Sequence, residues 1–225
     1  MNNLPEKYVR NEMLFDCNAD YIRPLFDVTE YPWQIIPLIN EYIAKLLEEG
    51  IDGYTELKPG VLIGEGVTIA PTASIGRNVI IGSHTEIGPG AYIRNNALIG
   101  PHCTVGNSSE LKNCVLTEHV QVPHYNYVGD SILGAYAHMG AGAVCSNLKS
   151  DKKNIVIHGD EEYETGLRKI GGIIGDHAEI GCHCVINPGT VIGKYTSVYP
   201  LTSVRGVIPG GCIVKSMQDI VIRKG

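Results

Sequence analysis

Residues 63–111 read IGEGVTIAPTASIGRNVIIGSHTEIGPGAYIRNNALIGPHCTVGNSSEL, and a branched aliphatic residue stands at every sixth position: Ile63, Ile69, Ile75, Ile81, Ile87, Ile93, Ile99, Val105 and Leu111. A period of six is neither the 3.6 of a helix nor the 2 of an isolated strand. The unit is therefore a short strand plus a turn, repeated. Two positions before the anchor the residue is small or modest in size, as at Ala73, Thr85, Ala91, Cys103 and Ser109, and the residue after it is most often glycine. After a five-residue step the series resumes at Leu116, Val122 and Val128, steps by five again to Leu133, and continues through Met139 and Cys145. A final set runs Ile174, Ile180, Ile186, Ile192, Val198 and Val204.

One large and one small inward residue per hexad fill the corner and side of a narrow prism, and three hexads close one coil. Coils then stack at the ~4.8 Å strand spacing, each burying its neighbour's edge. The hexad resembles the left-handed parallel β-helix of the hexapeptide-repeat transferases. The hand is implied by that resemblance, because parallel strands are usually connected right-handedly. The predicted fold is all-β, a left-handed parallel β-helix of hexapeptide repeats with an extruded loop and a short N-terminal helical segment. The anchors give about seven coils.

Composition agrees. The chain has 225 residues, 44% of them hydrophobic, which is enough for a domain with a core, and its 27 glycines beside two phenylalanines and one tryptophan suit a repeat. A net charge of -6 leaves no basic stripe for a phosphodiester backbone, so a nucleic-acid partner is not expected. The start, MNNLPEKYVRNEMLF, lacks an apolar run behind a basic head, and no segment approaches the ~18 apolar residues that cross a bilayer. No membrane partner is expected, and the predicted location is cytoplasmic. Seven cysteines, an odd number without an export signal, argue for reduced thiols.

Residues 1–55 do not follow the hexad and form an N-terminal helical or linker segment. Within it PWQIIPLINEYIAKLLEEG carries apolar residues at helical spacing, with Pro32 and Gly50 as start and stop signals for one helix. The β-helix is expected over 56–215, with a charged insertion at about 146–172 and a C-terminal tail over 216–225. Long loops on rigid scaffolds often carry function, although this one also reads as a solvated excursion.

Breaks in the pattern carry chemical information. Ile93 and Leu111 fall on one corner, one coil apart, and each is followed by a cation, Arg94 and Lys112, where glycine is usual. Projecting ~5 Å apart, they repel by roughly 1 to 3 kcal/mol. They read either as an anion site or as two solvated surface charges. The same counting places Tyr127 just before that corner on the next coil, His124 on the face leading to it, and Asn147 just past it one coil further on. Histidine suits proton transfer because its pKa near 6.5 lets it accept a proton at neutral pH and return it.

The runs VGNSSELKN, VPHYNYVGDS and GAGAVCSNLKSDKK are similar to the acetyltransferase domain of bacterial N-acetylglucosamine-1-phosphate uridyltransferases, and closer still to that of archaeal bifunctional sugar-1-phosphate nucleotidylyltransferases. The resemblance covers about residues 56–215. It implies acetyl transfer from acetyl-CoA, as co-substrate, to the amine of an amino-sugar 1-phosphate, at a site between subunits of a homotrimer. It also implies roles: Arg94 and Lys112 hold the sugar phosphate, His124 is the general base, Tyr127 binds the sugar, and Asn147 orients the nucleophile. Lys153 matches a loop lysine of the archaeal type and joins the substrate-binding set. The backbone near Ala141 faces the thioester, and Arg205 and Lys215 are candidate contacts for CoA phosphates.

The chain departs from the bacterial pattern at His138, where those enzymes carry asparagine, and at Leu148, where they carry tyrosine. The glycine-rich phosphate-binding signature of a nucleotidylyltransferase is absent, so a separate nucleotidylyltransferase is a candidate partner. Cys103, Cys114, Cys145 and Cys184 sit at inward positions and read as packing residues, while Cys182 is expected to point outward. A competing reading is a zinc enzyme resembling the γ-class carbonic anhydrases, because His84, His102 and His119 form a ladder on one face. The ladder sets ligands in a line rather than around an ion, so no metal is assigned. A third reading is a non-catalytic scaffold of a sugar-nucleotide pathway.

Overall fold

The computed structural model describes residues 8–223. Residues 1–7 and 224–225, the outer ends of the N-terminal segment and of the tail, lie outside the described residues. The fold is the β-helix that the hexad predicts. On one face the rungs Val61–Ile63, Val79–Ile81 and Ala97–Ile99 stack in register, Ile63 on Ile81 on Ile99, and the column continues through Leu116, Leu133, Ile174, Ile192 and Ile208. A second face runs from Thr68–Ile69 to Cys212–Ser216, and a third from Ser74–Ile75 to Ser203–Val204. The anchors line one buried column of aliphatic, sulfur and small side chains. The solenoid has about nine turns, more than the seven counted from anchors. At the ends Thr55–Lys58 and Asp219–Ile222 fold back antiparallel and cover the terminal edges.

Each five-residue step is a tightened corner. Glu110–Leu116 and Tyr127–Leu133 are single seven-residue strands that turn from the third face into the first, through Asn113 at φ 47° and Asp130 at φ 49°. Asparagine and aspartate tolerate this left-handed conformation better than most side chains.

The first face differs from the others in its middle row. Leu62, Ile80, Leu98, Val115, Ile132, Ile173, Val191 and Val207 point away from the prism core yet are buried. The N-terminal segment covers them with Ile22, Leu25, Trp33, Ile35, Ile39 and Ile43. Each aliphatic side chain buried this way contributes about 1.5–3 kcal/mol, so this segment is part of the structure rather than a tether. The segment is held at its edge by Asp176, which accepts from the Asp16 and Ala135 amides, both at 2.7 Å, and pairs with Lys194 at 3.3 Å. Burial holds the Asp176 carboxyl above its usual range despite those donors.

The single helix expected from Pro32 is broken up. Pro32–Gln34 and Ile36–Leu38 are 3₁₀ turns, and the α-helix begins only at Ile39, running to Glu49. Pro37 has no N–H to donate and its ring opposes a continuous α-helix. Gly50 ends the helix as expected, at φ 78° with its amide on Leu46 O.

The insertion after Cys145 is not a bare solvated excursion. Val156–His158 and Glu162–Glu164 pair as an antiparallel hairpin, and Ile155, Ile157 and Ile170 are buried against the first face and the N-terminal segment. Tyr163 packs on Trp33 and Tyr31, with ring centroids 5.4 and 5.3 Å away.

Candidate active site

The tight corner between the third and first faces brings four of the predicted polar residues, Arg94, Lys112, Tyr127 and Asn147, to one ridge. Leu111 pairs with Ile93 and Lys112 with Gly129, so Arg94 and Lys112 stand one rung apart on that corner. Neither cation is free. The Arg94 guanidinium lies 3.0 Å from Glu110 Oε1, which holds it protonated still more firmly. The Lys112 ammonium lies 3.2 Å from Asp130 Oδ2.

Asp130 organises the ridge. Its other oxygen accepts from Asn113 Nδ2 at 2.9 Å, and Asn147 Nδ2 donates to Oδ2 while also reaching the Tyr127 hydroxyl at 3.2 Å. Burial, then the charges of Asp130 and Glu110, raise the Tyr127 pKa, so the phenol keeps its proton as a donor. Tyr127 leans over Gly129, where a Cβ would come within 2.4 Å of its hydroxyl oxygen. A larger residue there would push the Tyr127 ring from this position.

His124 ends the strand Gln121–His124 at the other corner of the same face. Its side chain is exposed and makes no hydrogen bond among the described residues. Gln121 pairs with His138, an offset that sets Ala141 directly one rung beyond His124. The Gly142 amide donates to His124 O at 2.9 Å, and Ala141 O accepts from His183. The Ala141 N–H has no partner among the described residues.

Of the remaining candidates, Lys153 and Lys215 lie off this ridge, and Arg205 stands further along it. Lys153 stands on the exposed excursion with its amide on Asp151 Oδ1 at 3.0 Å. Arg205 and Lys215 are not brought together. Arg205 extends the corner of Arg94 and Lys112 toward the C-terminal end, lining a cleft of about 900 Å³ with Lys149 and His158. Lys215 follows Val214, whose pairing with Val198 sets it beyond Tyr199 near the corner of His124, and it lies 3.6 Å from Asp219. His138 turns its Nδ1 to Glu179 at 2.9 Å, and Leu148 bridges to Lys169.

Cys103, Cys114, Cys145 and Cys184 are buried, and burial pushes the Cys103 and Cys145 thiols up to about 12, while Cys182 is exposed. The buried thiols are packing groups, not nucleophiles. The histidine ladder is a stack of rings: His84, His102, His119, Tyr136, His177 and Tyr195 follow one another at centroid distances of 4.5–5.1 Å. Among the described residues no three His, Cys, Asp or Glu side chains converge on a point that could hold a metal ion.

Sequence counting missed Glu110, Asn113 and Asp130. Glu110 was within its reach, since it shares a column with Tyr92 and Tyr127. Asn113 and Asp130 were hidden because the five-residue steps remove the hexad position that would have marked them.

The bacterial transferase hexapeptide (six repeats) family matches residues 54–88, and the GMPPB C-terminal domain family matches residues 77–162. The bifunctional protein GlmU of Methanococcus maripaludis strain C7 is 36% identical over 197 residues, 86% of this chain and 48% of that protein. The bifunctional sugar-1-phosphate nucleotidylyltransferase/acetyltransferase of Sulfurisphaera tokodaii is 36% identical over 91 residues, 40% of this chain and 23% of that protein. Among solved structures, the acetyltransferase domain of PglB from Neisseria gonorrhoeae in complex with acetyl coenzyme A is 17% identical with a TM-score of 0.33, covering 82% of this chain and 65% of that one. The chain spans about half the length of the GlmU relatives that it matches along most of its own length. The repeat and the sequence matches show a hexapeptide-repeat chain related to the bifunctional GlmU proteins and to the GMPPB C-terminal domain.

Proposed function

We propose that the protein is an acetyltransferase that carries the acetyl group of acetyl-CoA directly to the amine of an amino-sugar 1-phosphate, glucosamine 1-phosphate or galactosamine 1-phosphate. The observation that carries this reading is the shared face: Arg94, Lys112, Tyr127 and Asn147 at one corner, His124 and Ala141 at the other. Arg94 and Lys112 bind the phosphate, and Tyr127 and Asn147 bind the sugar. An ammonium cannot attack a thioester, so His124 takes the proton as the amine adds to the carbonyl, and the thiolate of CoA leaves. The unpaired Ala141 amide meets the charge that grows on the carbonyl oxygen. No acyl-enzyme forms, which agrees with the buried thiols.

Tyr92, Tyr125, Tyr199 and Leu201 remain exposed along this face and its corner. An apolar surface of this kind suits packing against further copies of the chain, and a homotrimer places a second subunit beside the ridge. Lys153, Arg205 and Lys215 are assigned to contacts completed in that assembly. The test is release of free CoA from acetyl-CoA with each amino-sugar phosphate, alongside the mass in solution. N-acetylated product from a trimer is expected; a folded protein that acetylates neither sugar overturns the reading.

A further inference from the structure

The small inward position that leads into the third face is occupied by Ala91, Ser109, Asn126, Ala143 and Cys184 in successive coils. Asn126 alone brings an amide into this column, and it is 2% exposed. A buried amide is tolerated only if its hydrogen bonds are made. Asn126 makes them across two coils. Its Oδ1 accepts from the His124 amide at 3.0 Å. Its Nδ2 donates to Gly140 O at 2.8 Å and to Ala143 O at 3.1 Å, the carbonyls on either side of Ala141 and Gly142. Its own amide donates to Ser109 Oγ at 3.3 Å.

We propose that Asn126 is a positioning residue that fixes the spacing between the His124 corner and the Ala141 turn one rung beyond it. This rests on the acetyltransferase reading above. Its side chain touches neither substrate, but both the base and the amide assigned to the thioester hang from backbone that it clamps. Transfer demands that base, amine and carbonyl stay aligned, and a misplacement of about 1 Å costs on the order of 100-fold in rate. Binding of either substrate draws on other groups and changes little.

The column already accommodates alanine and serine, so Asn126→Ser and Asn126→Ala suit its space. Thr85→Val serves as control, because Thr85 is a buried staple of the same kind in an earlier coil, donating to Gly100 O at 2.9 Å and accepting from the Cys103 amide at 3.0 Å. kcat and KM for both substrates would be measured beside the melting temperature. The expected result is a kcat lowered about 10-fold to 100-fold in both Asn126 variants, with KM within about threefold of the parent. Thr85→Val is expected to lose stability and keep kcat.

Wild-type kcat in Asn126→Ser overturns the inference. So does an equal loss of kcat in Thr85→Val at equal loss of melting temperature, or failure of both Asn126 variants to fold, which makes the residue a folding staple. A wild-type protein that acetylates no amino-sugar phosphate overturns the acetyltransferase reading itself, and this inference falls with it.

Discussion

The Asp130 carboxylate, almost fully buried, holds the Lys112 ammonium at 3.2 Å, so the cation assigned to phosphate binding is positioned before any substrate arrives. Lys112→Ala removes a charge-assisted contact of about 1.5–3 kcal/mol, which corresponds to a rise in KM for the sugar phosphate of roughly 10-fold to 100-fold. The variant is expected to fold with a lowered melting temperature, because Asp130 loses its cation and keeps only the Asn113 and Asn147 amides, and steady-state kinetics against sugar phosphate concentration reads the effect. An unchanged KM refutes the phosphate role.

Removing Asp130 has a second effect. Asp130→Ala takes the shared acceptor from Lys112, Asn113 and Asn147, which are part-buried and reach water, while Asn147 keeps the Tyr127 hydroxyl, so the corner as a whole loses about 1–3 kcal/mol. Thermal melting is expected to show a clear drop in stability, together with a higher KM for the sugar phosphate. A variant as stable as the parent contradicts the role of Asp130 as organiser.

These two residues show what the sequence made legible. Arg94 and Lys112 could be set on one corner by counting sixes from Ile93 and Leu111, because the period of the coil is the period of the chain. Asp130 could not. Its importance comes from the tight corner that puts its side chain under Lys112, and the sequence records that corner only as a missing residue. The cover of the first face was written in plain sight as the middle apolar residue of VLI, VII, ALI and SIL, but a single chain of hexads does not say what lies over it. The helix boundary moved because Pro37, not Pro32, decides where α-helical hydrogen bonding can begin.

His124→Ala tests the base directly. The side chain is exposed and makes no hydrogen bond among the described residues, so the melting temperature is expected to stay close to that of the parent. Turnover is expected to fall about 100-fold to 10,000-fold, the range that general-base catalysis supplies. Retained turnover removes His124 from the mechanism.

Gly106 shows how closely the coils approach behind this corner. A Cβ there would lie 1.9 Å from Pro123 O and 2.5 Å from its carbonyl carbon, and backbone cannot move aside as a flexible side chain can. Gly106→Ala is expected to cost about 1–3 kcal/mol or more in stability. Because Pro123 precedes His124, kcat is expected to fall as well. Melting and turnover with both values unchanged disprove the close approach.

The ring ladder gives the molecule a pH dependence of known sign. His119 lies face to face with His102 at 4.7 Å and Tyr136 at 4.5 Å, and burial, then the neighbouring His102, lowers its pKa below the usual 6.5. The unfolded chain therefore binds the His119 proton more readily than the folded one. The stability that depends on neutral His119 is fully present above pH 6.5 and is lost as pH falls below that value and through the lower folded pKa. His119→Tyr keeps a ring in a conformation that Tyr136 already adopts, at φ 60°, and removes the titration. Melting temperature measured from about pH 7.5 to about pH 5.5 is expected to fall less in His119→Tyr than in the parent. Parallel curves for the two proteins contradict the lowered pKa and the role of the stack in setting it.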